Sequence, residues 1–440
     1  MVRTISIWTC LPKNMKNSAL LAAFENAILL LGKAIALLLF AWLLGPAAQG
    51  SYTLFLATFA LVTTMCVLGL DTSNNFWQAR AHALGRSQAL LGNSLLLTLP
   101  FSALGVGGLI GLWHQTSILS ELSPPLYGLL LLAIPLGTLA LVSGALLYGH
   151  NCFGHRLAGT FVHMLVFVAG LVWEGLRGEI SVESGMAAWT IGLALCAGYW
   201  TLISWRRADY RVFVHRITLN RQVGYAWRSY PYFMMSAANF RLDNFILANY
   251  WGLATLGVYS VAVAAVEIFL YLPRSLVNAT LTHQASHRTP SAARVLRPLS
   301  SLLLAMLPIA LSAPPIAILV IFDAEFHPAI LASLLLIPGI YAMAIGAVGS
   351  FYLFSQNRST DASIAAALAT GTTLLTCFIL IPPFGLIGAA LATSVSYMSF
   401  CLYVLKAISR YEKVPLLSSI RPDWSILKRL RDQVLRRHSI

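Results

Sequence analysis

Lys33 and Arg241 are cations set inside long apolar runs, and each has polar company. Glu25 and Asn26 precede Lys33 on its run, Asn239 precedes Arg241, and Asp243 and Asn244 follow it; Glu267 and Arg274 lie on the next run. An ionisable side chain at the centre of a bilayer costs about 2.5–3.5 kcal/mol on insertion scales, so each of these asks for a use or a partner. A buried cation suits an anionic ligand, and the planar arginine fork is shaped to grip phosphate or carboxylate oxygens. Spacing decides who can act together. Asn26 and Lys33, seven residues apart, share a helix face, as do Arg241 and Asn244 at i,i+3. Arg241 and Asp243 project from nearly opposite sides of a helix and form no simple pair. Glu267 and Arg274, two turns apart, share a face, which favours a charge network. A carboxyl group held out of water binds a proton more readily, which makes Glu25 first, then Asp243 and Glu267, candidates for ion or proton coupling. The competing reading is that these charges cross-pair between helices, or that Lys33 snorkels to the surface.

The elements that hold these residues are repeated. Gly45-x-x-x-x-Gly50-x-Tyr52 recurs as Gly252-x-x-x-x-Gly257-x-Tyr259, each copy in the short connection between two apolar runs. Such a repeat predicts two homologous helical bundles with a ligand site between them. Lys33 stands twelve residues before Gly45 and Arg241 eleven before Gly252, so both copies carry a cation at nearly the same depth. Gly45 and Gly252 are placed to end a helix in a left-handed conformation, and Gly50 and Gly257 to admit a close backbone approach. The run Gly385, Gly388, Ala389, Ala390, Ala392 reads as a small-residue packing face.

The chain has 440 residues, 58% of them hydrophobic and 10% charged, with mean hydropathy +0.75. A soluble protein of this size would have too little polar surface to cover its core. Apolar stretches long enough to cross about 30 Å of hydrocarbon recur at roughly 18–44, 51–70, 88–113, 125–149, 157–176, 184–205, 229–251, 253–276, 299–321, 327–355, 359–381 and 385–407. Alternation over about ten residues, the mark of a membrane β-barrel, is not the pattern. The prediction is an all-α integral membrane protein of about twelve transmembrane helices in two six-helix lobes around a central cavity. The lobes are 1–205 and 229–407, joined by a basic loop at 206–228 and followed by a basic tail at 408–440.

The net charge of +14 is topological. All Lys and Arg other than Lys33, Arg241 and Arg177 fall in segments on one side, whereas Glu121, Glu174, Glu179, Glu183, Asp323 and Glu325 occupy the other. The positive-inside rule then puts both termini in the cytoplasm. Nucleic acid is not the expected partner. Anionic membrane lipid is the secondary reading of the charge. Residues 1–17 read as the flank of an uncleaved first helix, and the tail, with Trp424, Ile426, Leu427, Leu430, Val434 and Leu435 among its basic residues, as either an amphipathic surface helix or a dispensable extension beyond Lys413.

Chemistry of other kinds finds no motif. Cys10, Cys66, Cys152, Cys196, Cys377 and Cys401 are scattered and read as small packing residues. His283 and His287, at i,i+4, lack a third metal ligand, and the triplets at Asn278 and Asn357 fall on the cytoplasmic side, where glycosylation does not occur. There is no phosphate-cradling glycine loop, no cofactor motif, and no large loop on which an enzyme could arrange acids and bases.

The stretches LLGPAAQGSYTLFLATFA at 43–60, FRLDNFILANYWGLATLGVYSVAVAAVE at 240–267 and FGLIGAALATSVSY at 384–397 resemble hairpins of the polysaccharide transporter (Wzx-type) flippases, within the multidrug/oligosaccharidyl-lipid/polysaccharide exporter superfamily. The resemblance implies two lobes in a V, open alternately to either side. Its implied cargo is undecaprenyl-diphosphate-linked oligosaccharide, delivered across a bacterial inner membrane for surface polysaccharide, with other polysaccharide-assembly proteins as possible partners. For that cargo the diphosphate would be received by Lys33, Arg241, Asn26, Asn244 and Arg274. The rival within the superfamily is a cation-coupled drug or metabolite antiporter; a membrane polysaccharide polymerase is the rival outside it.

Overall fold

The computed structural model describes residues 13–81, 87–113, 115–208, 211–284 and 291–422, with side chains throughout these except at 13–19, 79–81, 87, 88, 117 and 271–284. Cys10, His287 and the tail beyond Pro422 lie outside the described residues, as do the side chains of Arg274, Asn278 and His283.

The described residues are helical throughout, joined by short turns. In order they are α1 (Lys13–Val67), α2 (Leu70–Ala81), α3 (Ser87–Trp113), the one-turn α4 (Ser117–Ser120), α5 (Pro124–Gly149), α6 (Phe153–Arg177), α7 (Val182–Arg207), α8 (Arg216–Asn239), α9 (Leu242–Gln284), α10 (Ala293–Ile321), α11 (Ala329–Ser355) and α12 (Ser359–Glu412). Among them are nine apolar stretches able to cross a membrane, and the chain is a multi-pass membrane protein. Three of the nine, Leu20–Val67, Arg216–Leu270 and Ser359–Glu412, run 48, 55 and 54 residues. At 1.5 Å per residue each is more than twice as long as a hydrocarbon core is thick. Each is divided by a glycine that leaves the helical region: Gly45 (φ 78°), Gly252 (φ 74°) and Gly385 (φ 52°). Gly45 and Gly252 have the anticipated positive φ, but their ψ of −173° and 176° is extended, so they occupy a region essentially restricted to glycine and not the helix-ending left-handed cap. Gly385 was expected only to pack; it breaks the helix instead, and the packing falls to Gly388, where a Cβ would run into the Leu380 carbonyl. The two arms of α12 are then stitched by Thr373 Oγ1 to Ser396 Oγ at 2.6 Å and Ser396 Oγ to the Ala369 carbonyl at 2.9 Å.

The chain forms two compact units, Met1–Gly257 and Val258–Ile440. This division is not at 206–228. Residues 216–228, read from sequence as basic loop, are the first turns of α8, and α8 packs inside the first unit. Its Ala226 joins Val67, Leu70 and Val142 in a buried apolar cluster. Within the second unit, Tyr259 is fully buried and its hydroxyl lies 3.0 Å from Thr393 Oγ1 on α12. The chain after α12 is not a loose tail at its start: Arg297 Nε donates to the Ser418 carbonyl (3.0 Å), Ser300 Oγ to that of Ile420 (2.7 Å), and Ser419 is buried.

Candidate functional site

The first arm of α1 has a packed face and an unpacked one. Glu25, Gly32, Ala36 and Phe40, at helical spacing, are buried. Gly32 is where α6 comes closest, with Met164 in the space a side chain would need. One position on, and so about 100° round the helix, Asn26 and Lys33 are exposed. Asn26 Nδ2 is turned back onto the Ala22 carbonyl at 3.0 Å, which leaves its Oδ1 facing outward.

Glu25 has a different fate from the one its sequence position suggests. Its carboxylate, almost wholly buried, is 2.7 Å from the Arg156 guanidinium and also receives Tyr148 Oη (3.0 Å) and Thr160 Oγ1 (3.2 Å). Arg156 sits in the first turn of α6, with its guanidinium 3.7 Å from the Tyr148 ring centre and 4.6 Å from that of Trp200. The node ties α1, α5, α6 and α7 together. It is an ion pair with its hydrogen bonds supplied, the arrangement a buried carboxylate needs. A lone carboxyl waiting for a proton is not what the structure contains.

Arg241 sits where the helical path fails. α8 ends at Asn239 and α9 starts at Leu242, so Phe240 and Arg241 form a turn. The corresponding stretch of α1 continues unbroken. Arg241 is half-buried, and its guanidinium makes no hydrogen bond or ion pair with a described residue. It lies within electrostatic range of Tyr52, the tyrosine of the first glycine repeat. Asp243 and Asn244 are buried at the start of α9, where Asp243 Oδ1 accepts the Asn244 N–H at 2.9 Å. That is a helix-start contact rather than a partner for Arg241. Glu267 is half-buried farther along α9. Lys33 therefore lies within an unbroken stretch of helix and Arg241 in a turn between two helices.

Two contacts join the halves of the repeat inside the unit Met1–Gly257. At the first, a Cβ on Gly50 would overlap the Leu253 carbonyl, and one on Gly257 would overlap that of Pro46. Each glycine thus receives the residue that follows the positive-φ glycine of the other copy. At the second, roughly 35 Å of helix away, α8 is held to α2 and α3 by buried polar side chains. Gln222, fully buried, donates through Nε2 to Asn74 Oδ1 (2.9 Å) and accepts through Oε1 from Asn93 Nδ2 (2.8 Å). Ser94 Oγ donates to Asn74 Oδ1 (3.0 Å), Ser73 Oγ to the Gln222 carbonyl (2.9 Å), and the His215 N–H to Asn93 Oδ1 (3.0 Å). Sequence reasoning missed this cluster. Its one legible trace is the presence of Asn93 and Ser94 in an otherwise apolar run.

No protein-family model matches the chain, and no curated protein matches it in sequence. Solved structures do match in shape. An inward-facing multidrug resistance MATE family transporter of the MOP superfamily superposes with TM-score 0.65 at 12% identity, over 87% of this chain and 96% of that one. The outward-facing conformation of such a transporter gives 0.63 at 14%, over 94% and 100%. The lipid II flippase MurJ in an inward closed conformation gives 0.63 at 14%, over 92% and 89%. The chain therefore shares the overall fold of these structures.

Proposed function

We propose that this chain is a flippase that moves undecaprenyl-diphosphate-linked oligosaccharide across a bacterial inner membrane by alternating access. The reading includes twelve crossings with both termini in the cytoplasm, which puts the glycine contact at the outer end and the Gln222 cluster at the inner end. The observation that carries it is a pair of cations within the membrane-spanning helical region, exposed Lys33 on α1 and half-buried Arg241 at the turn between α8 and α9. Lys33 and Asn26 occupy the unpacked face of α1, and Arg241 stands at a helix break without an ion pair among the described residues. An intramembrane cation facing lipid would be costly, so these side chains line a wet cavity, and a diphosphate is a ligand that repays two cations. Nothing in such a cycle calls for enzymatic chemistry. The fold's likeness to MATE multidrug transporters supports a second reading, a cation-coupled antiporter, in which Asp243 and Glu267 would serve coupling; Glu25 would first have to leave Arg156.

Complementation of a flippase-deficient strain at matched membrane protein level separates the two. A charge-assisted contact is worth about 1.5–3 kcal/mol, so Arg241→Ala lowers surface polysaccharide export by about ten- to a hundredfold. Arg241→Lys, which keeps the charge and loses the fork, recovers part of it, and Lys33→Arg is tolerated better than Lys33→Ala. Full activity in both alanine variants would overturn the substrate role. Reporter fusions at Thr116, Arg177 and Tyr210 test the sidedness: a periplasmic signal at Tyr210 sinks it.

A further inference from the structure

The ends of α3 and α7 and the extended stretch 211–215 between α7 and α8 enclose a groove of about 440 Å³, lined by Leu91, Leu95, Thr201, Leu202, Trp205 and Val212. That is within the range of small-molecule sites, about 300–1,000 Å³. The lining offers nothing polar. Its one hydroxyl, on Thr201, already donates to the Ala197 carbonyl (2.7 Å) and lies 2.9 Å from Ser143 Oγ. Leu202, Trp205 and Val212 keep about two-fifths of their surface exposed along it. The occupant of such a groove is a hydrocarbon chain.

The rim is cationic. Arg206 follows Leu202 at i,i+4 and so extends the same face of α7 by one turn. Arg207, Arg211 and Arg216 are exposed in the same short stretch, interleaved with exposed Phe213, Val214 and Ile217. Alternating basic and large apolar residues are the composition of a segment lying at headgroup level. The stretch is held in place: the Arg211 N–H donates to the Ala208 carbonyl at 3.0 Å, the Phe213 carbonyl rests in the space left by Gly92, and the His215 N–H reaches Asn93. Both helical walls come from α3 and α7, within the first half of the repeat, and the third side is the stretch 211–215, whose His215 N–H is held by Asn93.

We propose that this groove is a binding site for an anionic phospholipid of the inner leaflet, one acyl chain against Leu91, Leu95, Leu202 and Val212 and the phosphate on the arginines that begin with Arg206. The ligand is a resident lipid rather than cargo. The proposal rests on the orientation proposed above, but not on transport, so loss of the flippase reading by complementation leaves it standing.

The test uses the full chain in neutral detergent, titrated with phosphatidylglycerol or phosphatidylcholine and read by native mass spectrometry. Phosphatidylglycerol is retained more tightly. A headgroup-level arginine contributes about 1 kcal/mol toward anionic lipid, so Arg206→Gln, Arg207→Gln and Arg211→Gln each lower that preference by about fivefold and leave phosphatidylcholine binding unchanged. These side chains are exposed, so the variants fold. Val212→Trp, which fills the groove, reduces retention of both lipids. Equal retention of the two lipids, or a preference that survives the triple arginine variant, overturns the proposal. So does displacement of phosphatidylglycerol by an equimolar polyprenyl phosphate, which would hand the groove to the cargo.

Discussion

The two places where the halves of the repeat meet are built from opposite materials. At the glycine contact no side chain intervenes: Gly50 lies against the Leu253 carbonyl and Gly257 against that of Pro46. At the Gln222 cluster the joint is made by side-chain hydrogen bonds among Asn74, Asn93, Ser94 and Gln222, all buried, beside the apolar packing of Ala226 on Val67 and Leu70. Backbones at van der Waals contact need only small residues, and they separate without leaving side-chain polar groups unpaired. A buried polar cluster is different. Once opened, each group must find water, so it holds firmly when dry and releases when wetted. In the alternating-access cycle proposed above, different chemistry at the two joints would let each close independently of the other.

The glycine contact should be the less forgiving of the two. Any side chain at Gly50 or Gly257 points at a carbonyl oxygen fixed in backbone, which no rotamer change can move aside. Overpacking of a core costs about 1–3 kcal/mol, more where nothing can yield. Gly50→Val and Gly257→Val should therefore abolish transport and sharply shorten the half-life of the detergent-solubilised protein at raised temperature. Gly252→Ala supplies the control. Its Cβ would meet nothing within 4 Å, so it carries only the strain of a non-glycine residue at φ 74° and ψ 176°, about 1–3 kcal/mol. If Gly252→Ala proves as damaging as Gly50→Val, the close approach is not what matters there.

At the polar cluster the expected effect is intermediate and directional. Gln222→Ala removes the shorter of the two acceptors of Asn93 Nδ2, leaving the His215 carbonyl at 3.4 Å, and one of the two donors to Asn74 Oδ1, at about 0.5–1.5 kcal/mol for each bond lost. In the orientation and cycle proposed above, that penalty falls on the inner end when it is closed, so the variant should favour the inward-open form rather than unfold. Leu90, nearly inaccessible beside Gln222, gives the readout. In a background free of native cysteines, Leu90→Cys should react faster with a membrane-impermeant maleimide from the cytoplasmic side when Gln222→Ala is added. Unchanged labelling would mean that the cluster is a static part of the fold.

Sequence and structure agree where one residue type is obligatory and part where several would serve. Gly45 and Gly252 announced themselves because a positive-φ break between two apolar helices admits little else, and the five-residue step to Gly50 and Gly257 marked the close approach. The long apolar runs gave away the all-helical membrane fold for the same reason. The boundary at 206–228 misled because arginines spaced along RQVGYAWR look like a solvated loop, although Gln222, Ala226 and Ser229 form a buried face at helical spacing. Glu25 and Arg156 are 131 residues apart, and only the packing of α1 on α6 could introduce them. The break at Phe240–Arg241 left no glycine or proline at the site to signal it. In the candidate site, the cations were legible as anomalies; the turn that holds Arg241 was not.

The smallest effect belongs to a hydrogen bond that crosses the same joint without being buried in it. Trp77 Nε1 donates to the Arg221 carbonyl at 3.2 Å, from α2 to α8, at an exposed position one residue from Gln222. Trp77→Phe keeps an aromatic ring and removes only the donor. Water can take over at the freed carbonyl, so the loss should be under about 1 kcal/mol, with Leu90→Cys labelling and transport close to the parent. The comparison with Gln222→Ala is what gives the measurement meaning: both variants delete hydrogen bonds between the same two helices, and they differ in whether the abandoned partner can reach solvent. If Trp77→Phe opens the inner end as far as Gln222→Ala does, then any link between α2 and α8 holds the gate, and the buried cluster has no special part in it.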